Sequence, residues 1–276
     1  MRFFKYEGLG NDFIVLEDLD GRSPKDPDFA IKWCDRRFGI GADGILYIMR
    51  SEGADAYMKI LNSDGSEAEM CGNGIRCVAK HLYDHRLVGS KEMTIDTMAG
   101  KKRVRCSLSD GKVAQVSVDM GAPILDCERI PMRCQGRFVE EEVEVAGMRV
   151  RGTAVSMGNP HFVTFQDLKP EEVEQLGPSL ERHPLFPRKT NVEFATQRQG
   201  IINVKVYERG AAWTLACGTG ACATVVAGVL SGRVKAGKDV EVRLPGGSLW
   251  INVDEGLSSV AMRGPAKLVY QGTFLE

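Results

Sequence analysis

A chain of 276 residues is long enough for about two domains and a sizeable core. Its 36 Lys and Arg against 37 Asp and Glu leave a net charge of −1, with no excess to hold a polyanion through released counterions, so no nucleic-acid partner is expected. Hydrophobic residues at 43% and charged residues at 26% are those of a soluble globular protein, while 31 glycines exceed the usual ~7% and ask for tight turns or backbone that approaches a ligand closely.

In chain order, residues 1–16 carry Glu7 and Asp12, which interrupt the apolar run an export signal would need. Residues 13–16 read as a strand, 28–37 as a helix, and 45–48 as a second strand. After Cys71, apolar Ile75, Val78, Ala79, Leu82 and Tyr83 fall at helical spacing on one face. The basic cluster 101–105 reads as a solvated hairpin face. Further strands are expected at 113–120, 141–150 (as one segment), 201–207, 240–244 and 249–253, with a helix at 169–180. The run 221–230 is apolar nearly all round and stops at Ser231-Gly232, as a buried helix does. It is also the longest apolar stretch, about half the ~20 residues that cross a bilayer, so no membrane partner is expected. Strands outnumber helices, giving α+β with mixed or antiparallel sheets. The eight cysteines are irregularly spaced in a long chain and read as free thiols in a reducing cytoplasm.

The chain repeats itself. Met58-Lys59-Ile60 and Cys71-Gly72-Asn73-Gly74 recur 146 positions later as Val204-Lys205-Val206 and Cys217-Gly218-Thr219-Gly220, and Gly10-Asn11 has its counterpart 148 positions on at Gly158-Asn159. Three matches in one order at nearly one offset imply two similar halves, each giving one cysteine to a cleft between them.

Both Cys-Gly-x-Gly turns precede helices. A helix start offers unpaired N–H groups and a positive dipole end, and glycine lets an anion approach them, so Gly72-Asn73 and Gly218-Thr219 are candidate carboxylate cradles. The same field favours a thiolate, which singles out Cys71 and Cys217, while Cys34, Cys77, Cys106, Cys127, Cys134 and Cys222 read as small core residues. Two such thiols facing one carbon would remove a proton as thiolate on one side and return one as thiol on the other, inverting a stereocentre. The chain has no GxxxxGK(S/T), no GxGxxG following a strand, and neither HExxH nor CxxC, so no cofactor and no metal are expected.

These residues resemble the diaminopimelate epimerases, pyridoxal-independent racemases of the two-cysteine type. The likeness is carried by Gly8-Leu9-Gly10-Asn11-Asp12-Phe13, Gly39-Ile40-Gly41-Ala42-Asp43-Gly44, Asn62-Ser63-Asp64-Gly65-Ser66, Met70-Cys71-Gly72-Asn73-Gly74-Ile75-Arg76-Cys77, Gly158-Asn159-Pro160-His161, Thr190-Asn191-Val192-Glu193-Phe194, and Tyr207-Glu208-Arg209-Gly210 through Ala216-Cys217-Gly218-Thr219-Gly220. The resemblance implies interconversion of LL- and meso-diaminopimelate on the route to lysine, with Cys71 and Cys217 as alternating acid and base. It implies that Gly72, Asn73, Gly218 and Thr219 hold the carboxylate at the reacting centre, and that Asn11, Asn62, Asn159, Asn191, Glu208 and Arg209 hold the remaining amino and carboxylate groups. His161 and Glu208 match positions that adjust the cysteine pKa values, and Tyr270 a dimer-interface position, so a homodimer is expected.

The implied fold is two pseudo-symmetric domains, 1–117 plus 264–276 and 118–263, each a β-barrel around a central helix. Two positions depart from the family pattern. Gly44 stands where many relatives carry a glutamine that touches substrate, and Ala212-Trp213 replaces a more common glycine-containing pair, so that Trp213 either narrows the cleft or packs the barrel.

Rival readings are a related two-cysteine racemase acting on another amino acid such as histidine, a dithiol redox switch, and an amino-acid binding module. Proline racemase-like enzymes usually show His where this chain has Asn73, and phenazine-pathway isomerases lack the second cysteine. A redox switch would not explain two carboxylate cradles, and a binding module needs no thiols at the turns.

Overall fold

The structure is a computed structural model and describes residues 1–275. The chain divides into two compact units, the first built from residues 1–119 together with the C-terminal stretch from Arg263, the second from Met120–Met262.

The first unit opens with β1 (Arg2–Gly8) and β2 (Asn11–Glu17), an antiparallel hairpin turned by Leu9 and Gly10, whose φ values of 58° and 82° match the twist of the flanking strands. Helix α1 (Pro27–Cys34) starts where the Asp26 carboxylate accepts the Phe29 N–H at 2.9 Å and proline fills the first helical position. It leads to β3 (Gly44–Met49), parallel to β2. Then come β4 (Ala56–Asn62), β5 (Glu67–Ala68), α2 (Gly72–Asp84), β6 (Glu92–Asp96, parallel to β4), β7 (Lys102–Ser109) and β8 (Lys112–Asp119). Helix α2 lies against β1, β2, β3, β6, β7 and β8, and its side chains from Ile75 through Ala79 are buried, so the strands wrap it.

In the second unit β9 (Glu141–Val145) pairs with β10 (Met148–Ser156), and β10 with β11 (Pro160–Thr164). Helix α3 (Pro170–Glu181) leads to β12 (Asn191–Arg198), parallel to β11, followed by β13 (Ile201–Glu208), β14 (Ala212–Thr214), α4 (Gly218–Leu230), β15 (Asp239–Leu244, parallel to β13), β16 (Gly247–Val253) and β17 (Val260–Gly264). Strands β10, β11, β12, β15 and β16 pack on α4. The final strand, β18 (Lys267–Thr273), pairs antiparallel with β1 of the first unit.

The order hairpin, crossover helix, parallel strand, antiparallel partner, short strand, central helix therefore occurs twice, as β1 to α2 and as β10 to α4. The internal repeat in sequence is a repeat of topology, and the α+β class holds, with each sheet mixed by two parallel pairings.

Three sequence expectations need correction. The segment 141–150 is two strands, because Ala146 and Gly147 adopt φ of 53° and 76° and reverse the chain. The first helix ends at Cys34, where extended Asp35 takes over and its carboxylate accepts the Arg37 and Phe38 N–H groups. Cys127 and Cys134 are not free: a 3-10 turn at Cys127–Arg129 and the tight chain after it bring their Cα atoms to 5.7 Å and they form a disulfide. The other six cysteines take no part in a disulfide.

Candidate active site

Each unit presents its cysteine in the same way. Cys71 is the N-cap of α2, extended at φ −137°, and its Sγ accepts the Gly74 N–H at 3.4 Å. Cys217 is the N-cap of α4, extended at φ −120°, and its Sγ accepts the Gly220 N–H at 3.4 Å. Sulfur thus does what a serine or aspartate oxygen usually does at a helix start, and this holds each thiol over the positive end of its helix.

In the first unit the Cys71 thiol donates to Asn11 Oδ1 at 3.6 Å, and Asn73 Nδ2 donates to the same oxygen at 3.2 Å. Asn11 is fixed in turn by donating to Asp43 Oδ2 at 2.7 Å. The fully buried Arg76 guanidinium braces the helix start, donating to the Gly72 carbonyl at 3.0 Å, to Asn73 Oδ1 at 3.0 Å and to the Pro265 carbonyl at 3.1 Å. Asn62 closes the turn between β4 and β5 by donating to Ser66 Oγ at 2.9 Å. The Gly44 backbone is crowded: a Cβ there would lie 2.7 Å from the Leu61 carbonyl oxygen, so a longer residue needs the β3–β4 ladder to shift.

The second unit assembles a larger polar set. Thr219 Oγ1 lies 3.5 Å from Cys217 Sγ and accepts from Asn159 Nδ2 at 3.3 Å. Asn159 Oδ1 meets His161 Nε2 at 3.0 Å, and His161 Nδ1 meets Glu193 Oε1 at 2.7 Å. Asn191 bonds the Pro160 carbonyl and the Arg209 N–H. The Glu208 carboxylate accepts from the Thr214 hydroxyl, and its charge acts on the Cys217 thiol.

Burial and the neighbouring Glu208 and Glu193 charges push the Cys217 thiol well above its ordinary range. Burial also pushes the Glu208 carboxyl up, against the Thr214 hydrogen bond and the His161 charge, which lower it. Cys217 therefore rests as a thiol, a proton donor. Cys77 and Cys106, also raised by burial, to about 12 and about 11, are inert core thiols.

Trp213 packs the barrel. Its ring meets Tyr207 edge-on at 5.1 Å and lies 5.9 Å from Phe194, over Gly177. Its neighbour Ala212 has φ of 59°, a left-handed conformation natural to glycine. Tyr270 lies on β18, half-exposed and edge-on to Phe3 at 6.1 Å. Two polar residues at the turns were not singled out from sequence, Arg76 and Glu193. Each sits inside a quoted motif, but only the fold shows that each is fully buried beside a cysteine turn. Among the described residues no helix is long and apolar enough to cross a membrane.

Comparison with known proteins agrees with this geometry. A family model described as diaminopimelate epimerase matches residues 3–125 and 153–269. The diaminopimelate epimerase of Desulfitobacterium hafniense is 48% identical over 282 residues, covering 100% of this chain and 99% of that protein. That of Carboxydothermus hydrogenoformans is 49% identical, covering 99% of each. Among solved structures, a probable proline racemase from Agrobacterium radiobacter superposes with a TM-score of 0.69 at 15% identity, over 99% of this chain and 92% of that one. A Bacillus anthracis phenazine biosynthesis protein does so with a TM-score of 0.69 at 15% identity, over 100% and 99%. These distant structures share the fold. Full-length identity near one half, with the family match on both units, settles membership: this chain belongs to the diaminopimelate epimerase family.

Proposed function

We propose that the protein epimerises LL-diaminopimelate to meso-diaminopimelate, without pyridoxal phosphate or metal, in the biosynthesis of lysine. The observation that carries this reading is the pair of cysteines, each capping a buried helix at a glycine turn, in a chain whose full-length relatives bear that name.

One cysteine, as thiolate, takes the α-hydrogen as a proton. The electron pair left on carbon spreads into the adjacent carboxylate, and the other cysteine, as thiol, delivers its proton to the opposite face. One S–H bond forms and one breaks, so the sulfurs exchange charge and no redox step occurs. The N–H groups at Gly72-Asn73 and Gly218-Thr219 stabilise the charge that develops on the carboxylate, at the positive ends of α2 and α4. Asn11, Asn62, Asn159, Asn191, Glu208 and Arg209 hold the amino groups and the distal carboxylate, and His161 and Glu208 set the cysteine proton affinities. A near-neutral protein with one acid beside one base at Glu208-Arg209 suits a zwitterionic substrate.

The reading extends to a cytoplasmic homodimer. Val269 and Tyr270 on β18 are 51% and 44% exposed, an apolar pair on the surface of the first unit suited to self-association. Sedimentation should give a dimer that Tyr270→Asp converts to monomer.

The test of the activity is exchange of the α-hydrogen of LL-diaminopimelate with D₂O by reduced protein lacking pyridoxal phosphate. Exchange that needs the cofactor, or that survives in the Cys71→Ala, Cys217→Ala double variant, overturns the mechanism. Turnover of histidine in preference to diaminopimelate overturns the substrate.

A further inference from the structure

The two units are built alike, and at one place they differ in chemistry. In the first unit Phe13 on β2 and Leu46 on β3 are buried, and a Cβ on Gly74 of α2 would come within 3.1 Å of the Leu46 side chain. The strands pair in parallel, with Phe13 opposite Gly44 and Val15 opposite Leu46. In the second unit the equivalent register places His161 opposite Asn191 and Val163 opposite Glu193, and a Cβ on Gly220 of α4 would come within 2.6 Å of Glu193 Oε1. His161 thus stands where Phe13 stands, and Glu193 where Leu46 stands. The barrel closes over its helix with an apolar pair in one unit and an ionisable pair in the other, so packing alone does not call for the ionisable pair.

Burying that pair is costly unless it does something. Both residues have no solvent exposure, and Glu193 Oε2 is buried with no hydrogen-bond partner among the described residues. Glu193 lies against the first turn of α4, where the helix field favours a carboxylate. His161 faces an oxygen on each side, Glu193 Oε1 at Nδ1 and Asn159 Oδ1 at Nε2. Asn159 turns its oxygen to the ring because its nitrogen donates to Thr219. Each ring nitrogen thus faces an oxygen, an arrangement that two ring N–H groups would satisfy.

We propose that Glu193 is a positioning residue of the Cys217 half-site, an ionised carboxylate that keeps His161 doubly protonated and fixes the chain Glu193–His161–Asn159–Thr219 beside the thiol. The ionisable groups acting on the ring are Glu193 from β12 and Glu208 from the end of β13, and both carboxylates act in turn on Cys217 at the start of α4. The positive ring opposes the charge of Glu208, which otherwise suppresses ionisation of Cys217. The first unit has no such charge to offset at the equivalent place and carries an apolar pair. The kinetic part of this inference rests on the epimerase reading; the protonation part does not.

The experiment is ¹⁵N NMR of the His161 ring in the substrate-free protein, followed from pH 6 to 9 in wild type, Glu193→Gln and Glu193→Asp, alongside the pH dependence of kcat. Wild type should show both ring nitrogens protonated across this range, whereas Glu193→Gln should show the neutral ring. Its kcat should fall about ten- to hundredfold with KM little changed, and the alkaline limb should move to lower pH, with Glu193→Asp partly restoring both. A neutral His161 ring in wild type at pH 7 overturns the proposal without any variant or substrate. So does a Glu193→Gln protein with wild-type ring signals and pH profile. The double variant Glu193→Leu, His161→Phe, which copies the first unit, should fold and stay inactive; full activity there also overturns it.

Discussion

Asn191 Oδ1 accepts the backbone N–H of Arg209 at 2.9 Å, while the same buried amide donates to the Pro160 carbonyl at 2.8 Å. One side chain thereby ties the start of β12 to the strand that carries His161 and to the turn that carries Glu208 and Arg209. Asn191→Leu keeps the volume and takes this partner from the buried Pro160 carbonyl and the half-buried Arg209 N–H, which should lower unfolding stability by about 2 kcal/mol. Because the Arg209 turn loses its tether, KM should rise by about tenfold with a smaller change in kcat, read from urea unfolding and initial rates. Unchanged KM would remove the positioning role of this amide.

The charge of Glu208 raises the Cys217 thiol, after burial. Glu208→Gln removes that charge, so the thiolate fraction of Cys217 at a fixed pH should increase and its alkylation by iodoacetamide should quicken, with the midpoint of the rate-against-pH curve moving to lower pH. Epimerase activity should fall by at least about a hundredfold, since a group that tunes and orients the acid has been lost. Faster alkylation together with lower activity separates tuning from misfolding, which would expose all the thiols; slower alkylation of Cys217 contradicts the assignment.

Gly74 and Gly220 are equivalent in the repeat and should respond differently to alanine. At Gly74 the new methyl meets the flexible end of Leu46 at 3.1 Å, and the helix gains up to about 1 kcal/mol of propensity, so Gly74→Ala should leave stability within about 1 kcal/mol of wild type. At Gly220 the methyl would lie 2.6 Å from Glu193 Oε1, which His161 holds in place, so Gly220→Ala should cost about 1–3 kcal/mol and most of the activity. Equal thermal unfolding of the two variants would count against the rigidity assigned to Glu193.

Cys127 and Cys134 form a disulfide, and the remaining six cysteines take part in none. Alkylation of denatured protein without reductant should label six thiols, rising to eight after reduction, with the two late sites mapping by mass spectrometry to one peptide pair. Eight labelled thiols before reduction would show that the pair is reduced in the isolated protein.

Local sequence determined a good deal. The period of Ile75, Val78, Ala79 and Leu82, the apolar run from Ala221, and the glycines beside two cysteines mark two helix starts, because caps and helical faces are properties of a few consecutive residues. The repeated Cys-Gly-x-Gly turns likewise disclosed the doubled topology. Tertiary structure decided what depends on strands brought together from afar. In sequence Glu193 is one acidic residue within Thr190-Asn191-Val192-Glu193-Phe194, and His161, 32 positions earlier, taken alone reads as a packed or solvent-facing histidine after proline. Only the parallel register of β11 and β12 closes the ionisable pair against α4, whereas the same register in the other unit buries Phe13 and Leu46. The break at Ala146-Gly147 was illegible for a smaller reason: a left-handed alanine carries no mark in its side chain, and the reversal shows only once β9 and β10 have paired.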